Sequence, residues 1–483
     1  MTLTSTFVNT RYPLLHPTVD EAGKEALDEL LAQYNPVSGP VRKVITYFGS
    51  SGTMPINVGH SEFFDIDYIL RQLTGLSSLD TGAQSSLFTG GKGSDLFGCY
   101  ASSIGETVER VLGLFFFRRS EDEYFYGTYD DLEQRGERAL SPDELPLFTP
   151  EQYAEPGFLF EPFTRHSYLA WLRGERLLSR DKVWVPAQMV ELIYSLVPDE
   201  ALIGYSVSGG LSSHVSRENA LYHGITELIE RDAVNLRWYC RLPPERLVFD
   251  EPIRDPRVRA LCAKAARLPG ELDYYSHVVD IAEVPVLTAM KVDPWLQRCS
   301  YYSGGGADCD IDTAIHKTVN EFGQSQRTIQ LSLMAPDRIF AQGVMRLFDI
   351  GPDEPISKIT AFFKVIAYYG HKQNAAKLDW YLHSDNRQLP YSELPHVEPR
   401  HRYGVLKDVL ASHGLDPIVF DMTPPDLKTV RVMKVFIPEL TQPFLQSKPI
   451  LGHPRFAQAA RLMGRSDEEI SSGDLVADPL PYP

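Results

Sequence analysis

Two short helical stretches that echo each other constrain this chain most strongly: Gly105-Glu106-Thr107-Val108-Glu109-Arg110 and Thr226-Glu227-Leu228-Ile229-Glu230-Arg231. Residues three apart on a helix share a face, so each E-x-x-E projects two carboxylates in one direction. Two such helices facing each other present four. Glycine-rich segments precede both copies, Gly90-Gly91-Lys92-Gly93 the first and Ser208-Gly209-Gly210 the second. A weaker third copy, Asn320-Glu321-Phe322-Gly323-Gln324, follows Gly304-Gly305-Gly306. Four carboxylates close together repel and take up protons unless a cation neutralises them. Mg²⁺ is the natural guest, because it takes oxygen ligands and usually arrives with phosphate. Read as turns, the glycine segments let backbone approach phosphate closely. The residues thus point to a Mg²⁺–nucleotide site assembled from helix faces, with no P-loop.

The plainer reading of one E-x-x-E-R is a wet helix face carrying a Glu-to-Arg pair such as Glu227 with Arg231. The second copy, however, sits among Ile225, Leu228 and Ile229, which a fully solvated face would not hold. Lys92, in its glycine frame, is either a phosphate-reaching lysine or a solvated turn residue. Ser102 lies one turn before Glu106 and either reaches metal or phosphate or bonds back to its own helix.

A net charge of −17 argues against broad nucleic-acid or anionic-membrane binding, either of which wants a basic surface. The five cysteines (Cys99, Cys240, Cys262, Cys299, Cys309) form no CxxC, so a disulfide scaffold or thiolate zinc site is not expected and a reducing compartment fits. The beginning lacks a basic start followed by an apolar run, and Val111–Phe117 is far too short to span a bilayer. The expected location is cytoplasmic.

Strands and helices alternate along the chain, which predicts an α/β (α+β) class in two similar halves around a shared cleft. Residues 1–80 read as a small leading α/β unit for packing or docking. It has a capping box at Thr18/Glu21, a helix over 22–34, a strand over 41–48 and a helix-like stretch over 63–73. Residues 81–483 carry the motifs. Within them, 121–156 reads as a surface excursion or linker, and 205–207 as strand-like. Segments 208–214 and 304–306 read as turns. Helices are expected over 218–237, 255–267, 311–330 and 405–413, and strands over 284–292, 418–420 and 430–437. Asp478-Pro479-Leu480-Pro481-Tyr482-Pro483 prefers a polyproline II path, either as a frayed end or as a stiff arm that delivers its end into a site.

Together these residues resemble the YcaO superfamily, and the closing P-x-P-x-P its azoline-forming branch, the cyclodehydratases of thiazole/oxazole-modified peptides such as microcins. The resemblance covers roughly residues 85 to 483. It rests on Gly91-Lys92-Gly93, Ser102-x-x-x-Glu106-x-x-Glu109-Arg110, Ser208-Gly209-Gly210-Leu211-Ser212, Glu227-x-x-Glu230-Arg231-Asp232, Gly304 to Ala307 with Glu321-x-x-Gln324, and Pro483. It implies an ATP–Mg²⁺ site lined by Lys92, Ser102, Glu106, Glu109, Ser212, Glu227, Glu230, Arg231, Glu321 and Gln324. The four central glutamates would hold the metal. Arg327 is the candidate for a basic residue that the family usually places one position earlier, where this chain has Gln326. Val215 and Asn219 also depart from the family pattern, which bears on ATP use.

The implied activity is ATP-dependent conversion of Cys, Ser or Thr in a ribosomally made precursor peptide to thiazoline or oxazoline. Pro479, Pro481 and Pro483 would act at the reacting peptide. Implied partners are the precursor peptide, a leader-binding protein resembling a ubiquitin-activating enzyme, and a flavin-dependent azoline dehydrogenase; a homodimer is also compatible. Rival readings are a YcaO enzyme making thioamides or amidines, a non-catalytic scaffold in a peptide-modifying complex, and a carboxylate-rich metallohydrolase, for which no His-rich motif speaks.

Overall fold

The structure is a computed structural model. It describes residues 21–482 apart from 36, 38–40, 49–53, 55, 64–88, 94–95, 115–122, 193, 269–271, 294, 297–299, 335–349, 360–361, 384–385 and 426. Thr18, Cys299, Pro483 and all but the first residue of the helix-like stretch 63–73 therefore lie outside the described residues.

Three long helices each lie on a sheet. The helix α1 (Glu21–Ala32) leads into β1 (Val41–Tyr47), β2 (Asn57–Phe63) and β3 (Gly90–Gly93), a three-stranded antiparallel sheet in that order. Onto it packs α2 (Leu96–Leu114), which carries the first E-x-x-E. The second E-x-x-E lies on α3 (Arg217–Tyr239), whose N-cap Ser216 accepts a hydrogen bond from Asn219 N. Against α3 stands a six-stranded sheet ordered β4 (Tyr124–Gly127), β5 (Leu169–Arg176), β13 (Ile418–Asp421), β14 (Arg431–Phe436) and β7 (Leu211–His214), with β6 (Lys182–Pro186) paired to β5. The third helix, α4 (Ile311–Met334), covers a five-stranded sheet. Its order is β11 (Tyr301–Ala307), β10 (Val286–Val292), β9 (Asp273–Ser276), β8 (Glu245–Val248) and β12 (Gln388–Pro390). Among the described pairings of named strands, only β8 with β12 is parallel.

Two glycine segments expected as turns are strands, and the reason is steric. A Cβ on Gly91 would lie 2.2 Å from Ser103 N of α2, and one on Gly304 would lie 2.0 Å from Phe322 N of α4. Helix backbone rests directly on strand backbone at both places, and only glycine leaves room for it. Gly210 precedes β7 with φ +77°, a left-handed position that suits glycine. Segment 205–207, expected as strand-like, is irregular.

The stretch expected as a surface excursion or linker is packed structure over its described residues, 123–156. Leu132, Leu140, Leu145, Leu147 and Phe148 are buried in a second hydrophobic core with Trp171, Phe420 and Phe436. There Phe148 stacks on Phe160 at 4.8 Å. Prolines and acids sit at its turns and caps, as at Thr149, which caps the helix Pro150–Ala154. The main core runs from Met54 through α3, β10 and α4 to Tyr482. Among the described residues no helix is long and apolar enough to cross a membrane.

Candidate functional site

The three helix-on-sheet units meet around one cavity of about 740 Å³. Glu106 and Glu109 reach it from α2, Glu227 and Glu230 from α3, and Glu321 and Gln324 from α4. Lys92, Ser102, Ser212 and Arg231 line it as well. Arg327 does not. It follows Gln324 by three residues on α4, but its Nε is buried without a hydrogen-bond partner among the described residues. At the preceding position Gln326 accepts a hydrogen bond from Met54 N at 3.1 Å, outside the cavity lining.

The echo seen in the sequence is repeated in the contacts. Glu106 Oε2 accepts from Gly90 N at 3.1 Å, and Glu227 Oε2 accepts from Gly210 N at 3.1 Å. Arg110 pairs with Glu106 at 3.4 Å and Glu109 at 3.8 Å, while Arg231 pairs with Glu227 at 3.7 Å and Glu230 at 3.5 Å. Each glycine segment thus fixes the first carboxylate of the following helix, and each arginine spans both. The glycine amides are turned to protein carboxylates here.

The second carboxylates differ in support. Glu109 accepts a hydrogen bond from Ser213 N of β7 at 3.0 Å, so it is held by the opposite half. Burial pushes it up to about 8; Arg110 opposes this, and Glu106 and Glu227 reinforce it. Glu230 lies against β11, where a Cβ on Gly305 would come within 2.9 Å of its Oε1. Burial raises it too, against the pull of Arg231.

Lys92 bridges to the third helix, donating to Glu321 and, at 3.3 Å, to Gln324 Oε1. Burial brings its ammonium down to about 8, against the nearby Glu106 and Glu230. Ser212 donates its hydroxyl proton to the Ala220 carbonyl, which leaves it an acceptor toward the cavity. Of the two positions that depart from the family pattern, Val215 lines the cavity, whereas Asn219 is exposed and does not.

Several lining residues carried no sequence signal. Lys317 faces the cavity while paired to Asp308 at 2.9 Å. His214 and His223 stack at 5.3 Å in its wall. Burial, aided by Lys317, lowers His214 to about 4 and His223 well below its ordinary value, so both are neutral. Leu30 from α1 and Thr288 from β10 complete the wall. A helical period exposes carboxylate spacing, but these residues meet only through tertiary packing.

Residues 478–482 are docked along the main core. Trp238 Nε1 donates to the Asp478 carbonyl at 2.9 Å, and Tyr369 Oη to that of Pro479 at 2.5 Å. The Pro481 carbonyl accepts from Tyr301 Oη at 2.6 Å and Ser303 Oγ at 3.2 Å. Pro479 and Pro481 are thereby anchors away from the cavity wall; Tyr482 lines it.

The donor set fits a nucleotide with Mg²⁺ on two observations. Glu109 and Glu230 are held toward protonation by burial, the condition a divalent cation relieves. Lys92, Lys317, Arg110 and Arg231 supply cations along the same wall. Among the described residues no three acidic, His or Cys side chains cluster tightly enough to hold a metal by themselves. Phosphate oxygens and water would complete the shell, as is usual for Mg²⁺.

Residues 90–441 match the family model described as YcaO cyclodehydratase, ATP- and Mg²⁺-binding. The chain belongs to the YcaO family, and ATP and Mg²⁺ are its cofactors. An uncharacterized protein of Methanothermobacter thermautotrophicus is 28% identical over 241 residues, which is 49% of this chain and 57% of that protein. Among solved structures, a heterocyclase in complex with substrate and cofactor superposes with a TM-score of 0.70 at 19% identity, over 95% of this chain and 57% of that one. The Escherichia coli microcin synthetase McbBCD complex gives 0.60 at 14% identity, over 93% and 98%. YcaO from Methanopyrus kandleri, bound with AMPPCP and Mg²⁺, gives 0.55 at 17% identity, over 87% and 88%. These likenesses establish the fold. The chain spans just over half the length of the first two proteins named.

Proposed function

We propose that this chain is an ATP-dependent peptide cyclodehydratase that converts Cys, Ser or Thr of a ribosomally made precursor to thiazoline or oxazoline. One observation carries the reading: both E-x-x-E-R helices present all four carboxylates to a cavity whose wall also includes Tyr482 of the proline arm. In the proposed reaction the side-chain sulfur or oxygen attacks the preceding backbone carbonyl. The γ-phosphoryl group of ATP passes to the resulting oxyanion, and phosphate departs with that oxygen. An amide oxygen leaves poorly until phosphorylated, which is why the reaction needs ATP.

Glu106, Glu109, Glu227 and Glu230 would hold Mg²⁺, which when bound neutralises charge on the transferring phosphoryl group. Lys92 and Arg231 would steady phosphate oxygens, with Ser102, Glu321 and Gln324 beside them. The glycine amides and arginines keep the carboxylates aimed before anything binds, and positioning of this kind supplies much of catalysis. Pro479 and Pro481 would fix the arm so that Tyr482 and Pro483 approach the reacting peptide.

The heterocyclase relative holds a substrate and the microcin synthetase is a multi-protein complex. We therefore assign a precursor peptide as substrate and a leader-binding protein resembling a ubiquitin-activating enzyme as partner, with a flavin-dependent dehydrogenase acting on the rings afterwards. The test mixes the chain, its partner and the precursor with Mg-ATP and records peptide mass. Loss of one water per ring, with phosphate release, supports the proposal. Exchange of oxygen for sulfur would instead show thioamide formation, and no ATP consumption would favour a scaffold.

A further inference from the structure

Where the proline arm reaches the cavity, it is caught by a closed set of buried hydrogen bonds around a histidine that no motif singled out. His277 is fully buried next to β9. Its Nδ1 lies 2.8 Å from Tyr381 Oη, and its Nε2 lies 2.9 Å from Tyr482 Oη and 2.8 Å from Thr288 Oγ1. Tyr482 Oη is in turn 2.9 Å from Thr288 Oγ1 and 3.3 Å from Tyr381 Oη. The imidazole ring packs edge-on against the Tyr482 ring at 5.3 Å. Burial lowers His277 well below its usual value, so it is neutral and offers one donor and one acceptor nitrogen. Hydroxyls satisfy both. One residue upstream, Tyr301 and Ser303 hold the Pro481 carbonyl, so the arm is pinned at two successive residues.

Buried polar groups are costly unless fully satisfied, and a satisfied network specifies one arrangement. Here the arrangement it specifies puts Tyr482 in the cavity wall beside Thr288.

We propose that His277 is a positioning residue: through Tyr482 and Thr288 it locks the proline arm against the cavity. The lock itself rests on the geometry alone. Its consequence for turnover rests on the cyclodehydratase reading, in which the arm must meet the peptide.

The experiment uses the full chain with Tyr482→Phe, which keeps the ring and deletes the hydroxyl, with His277→Gln, and with the double variant. Hydrogen–deuterium exchange of residues 478–482 is measured first. Either single change should speed exchange at least about tenfold, and the double variant should be no faster than the worse single, because contacts sharing one network are not additive. Unchanged exchange, or effects that simply add, would overturn the lock. Turnover is measured next, with partner and precursor: kcat should fall at least about tenfold while the Kd for Mg-ATP stays within about threefold, a split that general unfolding would not give. Equal losses in both would overturn the positioning role. If the wild-type chain leaves the peptide unmodified, the cyclodehydratase reading falls, and exchange still decides the lock.

Discussion

The α2 and α3 halves present the same chemistry on different supports. Both give their first glutamate a glycine amide and their arginine two carboxylates. The α2 half rests on a small sheet through backbone-to-backbone contact at Gly91. The α3 half is a longer helix, apolar on several sides, held between the six-stranded sheet and the main core. Their second glutamates differ most: Glu109 depends on Ser213 from across the cleft, whereas Glu230 depends on the missing side chain of Gly305. The placement of carboxylates is common to the two halves, and the scaffolding that achieves it is not. Function therefore constrains where the charges sit more tightly than how they are carried.

The largest expected effect tests the scaffolding. Gly304→Ala would drive a Cβ into α4 backbone, so it should destabilise the fold by about 3 kcal/mol, read from urea unfolding. The neighbouring Gly305→Ala meets no backbone atom closer than 3.7 Å and presses chiefly on the carboxylate end of Glu230, so it should cost under about 1 kcal/mol while still weakening Mg-ATP binding. A similar stability loss at both would remove the distinction between strand packing and carboxylate placement.

Next in size is the carboxylate symmetry. Glu106→Gln, Glu109→Gln, Glu227→Gln and Glu230→Gln should each weaken Mg-ATP binding at least about tenfold, or ~1.4 kcal/mol, by calorimetry. Losses confined to the α3 pair would show that only one half carries the metal.

A pH effect concerns Lys434 on β14, which donates to the Val207 and Gly209 carbonyls at 2.7 Å each and so braces the glycine segment of the α3 half. Burial brings its ammonium from 10.5 to about 7. Between those values the unfolded chain binds the proton and the folded chain does not, so this residue makes stability rise with pH across that window. Lys434→Met should flatten the rise between pH 7 and 10.5, seen in melting temperatures. An unaltered slope would mean that Lys434 keeps its proton.

Much of this site was legible because a helical period is written locally: three-residue spacing was enough to place Glu106 with Glu109 and Glu227 with Glu230 on common faces. The glycine segments were legible as special positions but not as strands, since the helix they accommodate is distant in sequence. The acidic, proline-bearing segment around 123–156 misled for a similar reason. Its turns announce themselves, while Leu132, Leu145 and Phe148 find their core only through β5 and β13. Ser213, Lys317, His223 and Thr288 acquire a site only when three sheets meet, and Arg327 shows the converse, a plausible spacing whose residue stays outside the cavity lining.

The most direct test is a crystal structure with a non-hydrolysable ATP analogue and Mn²⁺ in place of Mg²⁺, in which anomalous scattering locates the metal. Metal is expected between α2 and α3, touched by carboxylates of both E-x-x-E pairs and by phosphate oxygens. Metal bound elsewhere, or an analogue seated outside the cavity that Glu106, Glu109, Glu227 and Glu230 line, would contradict it.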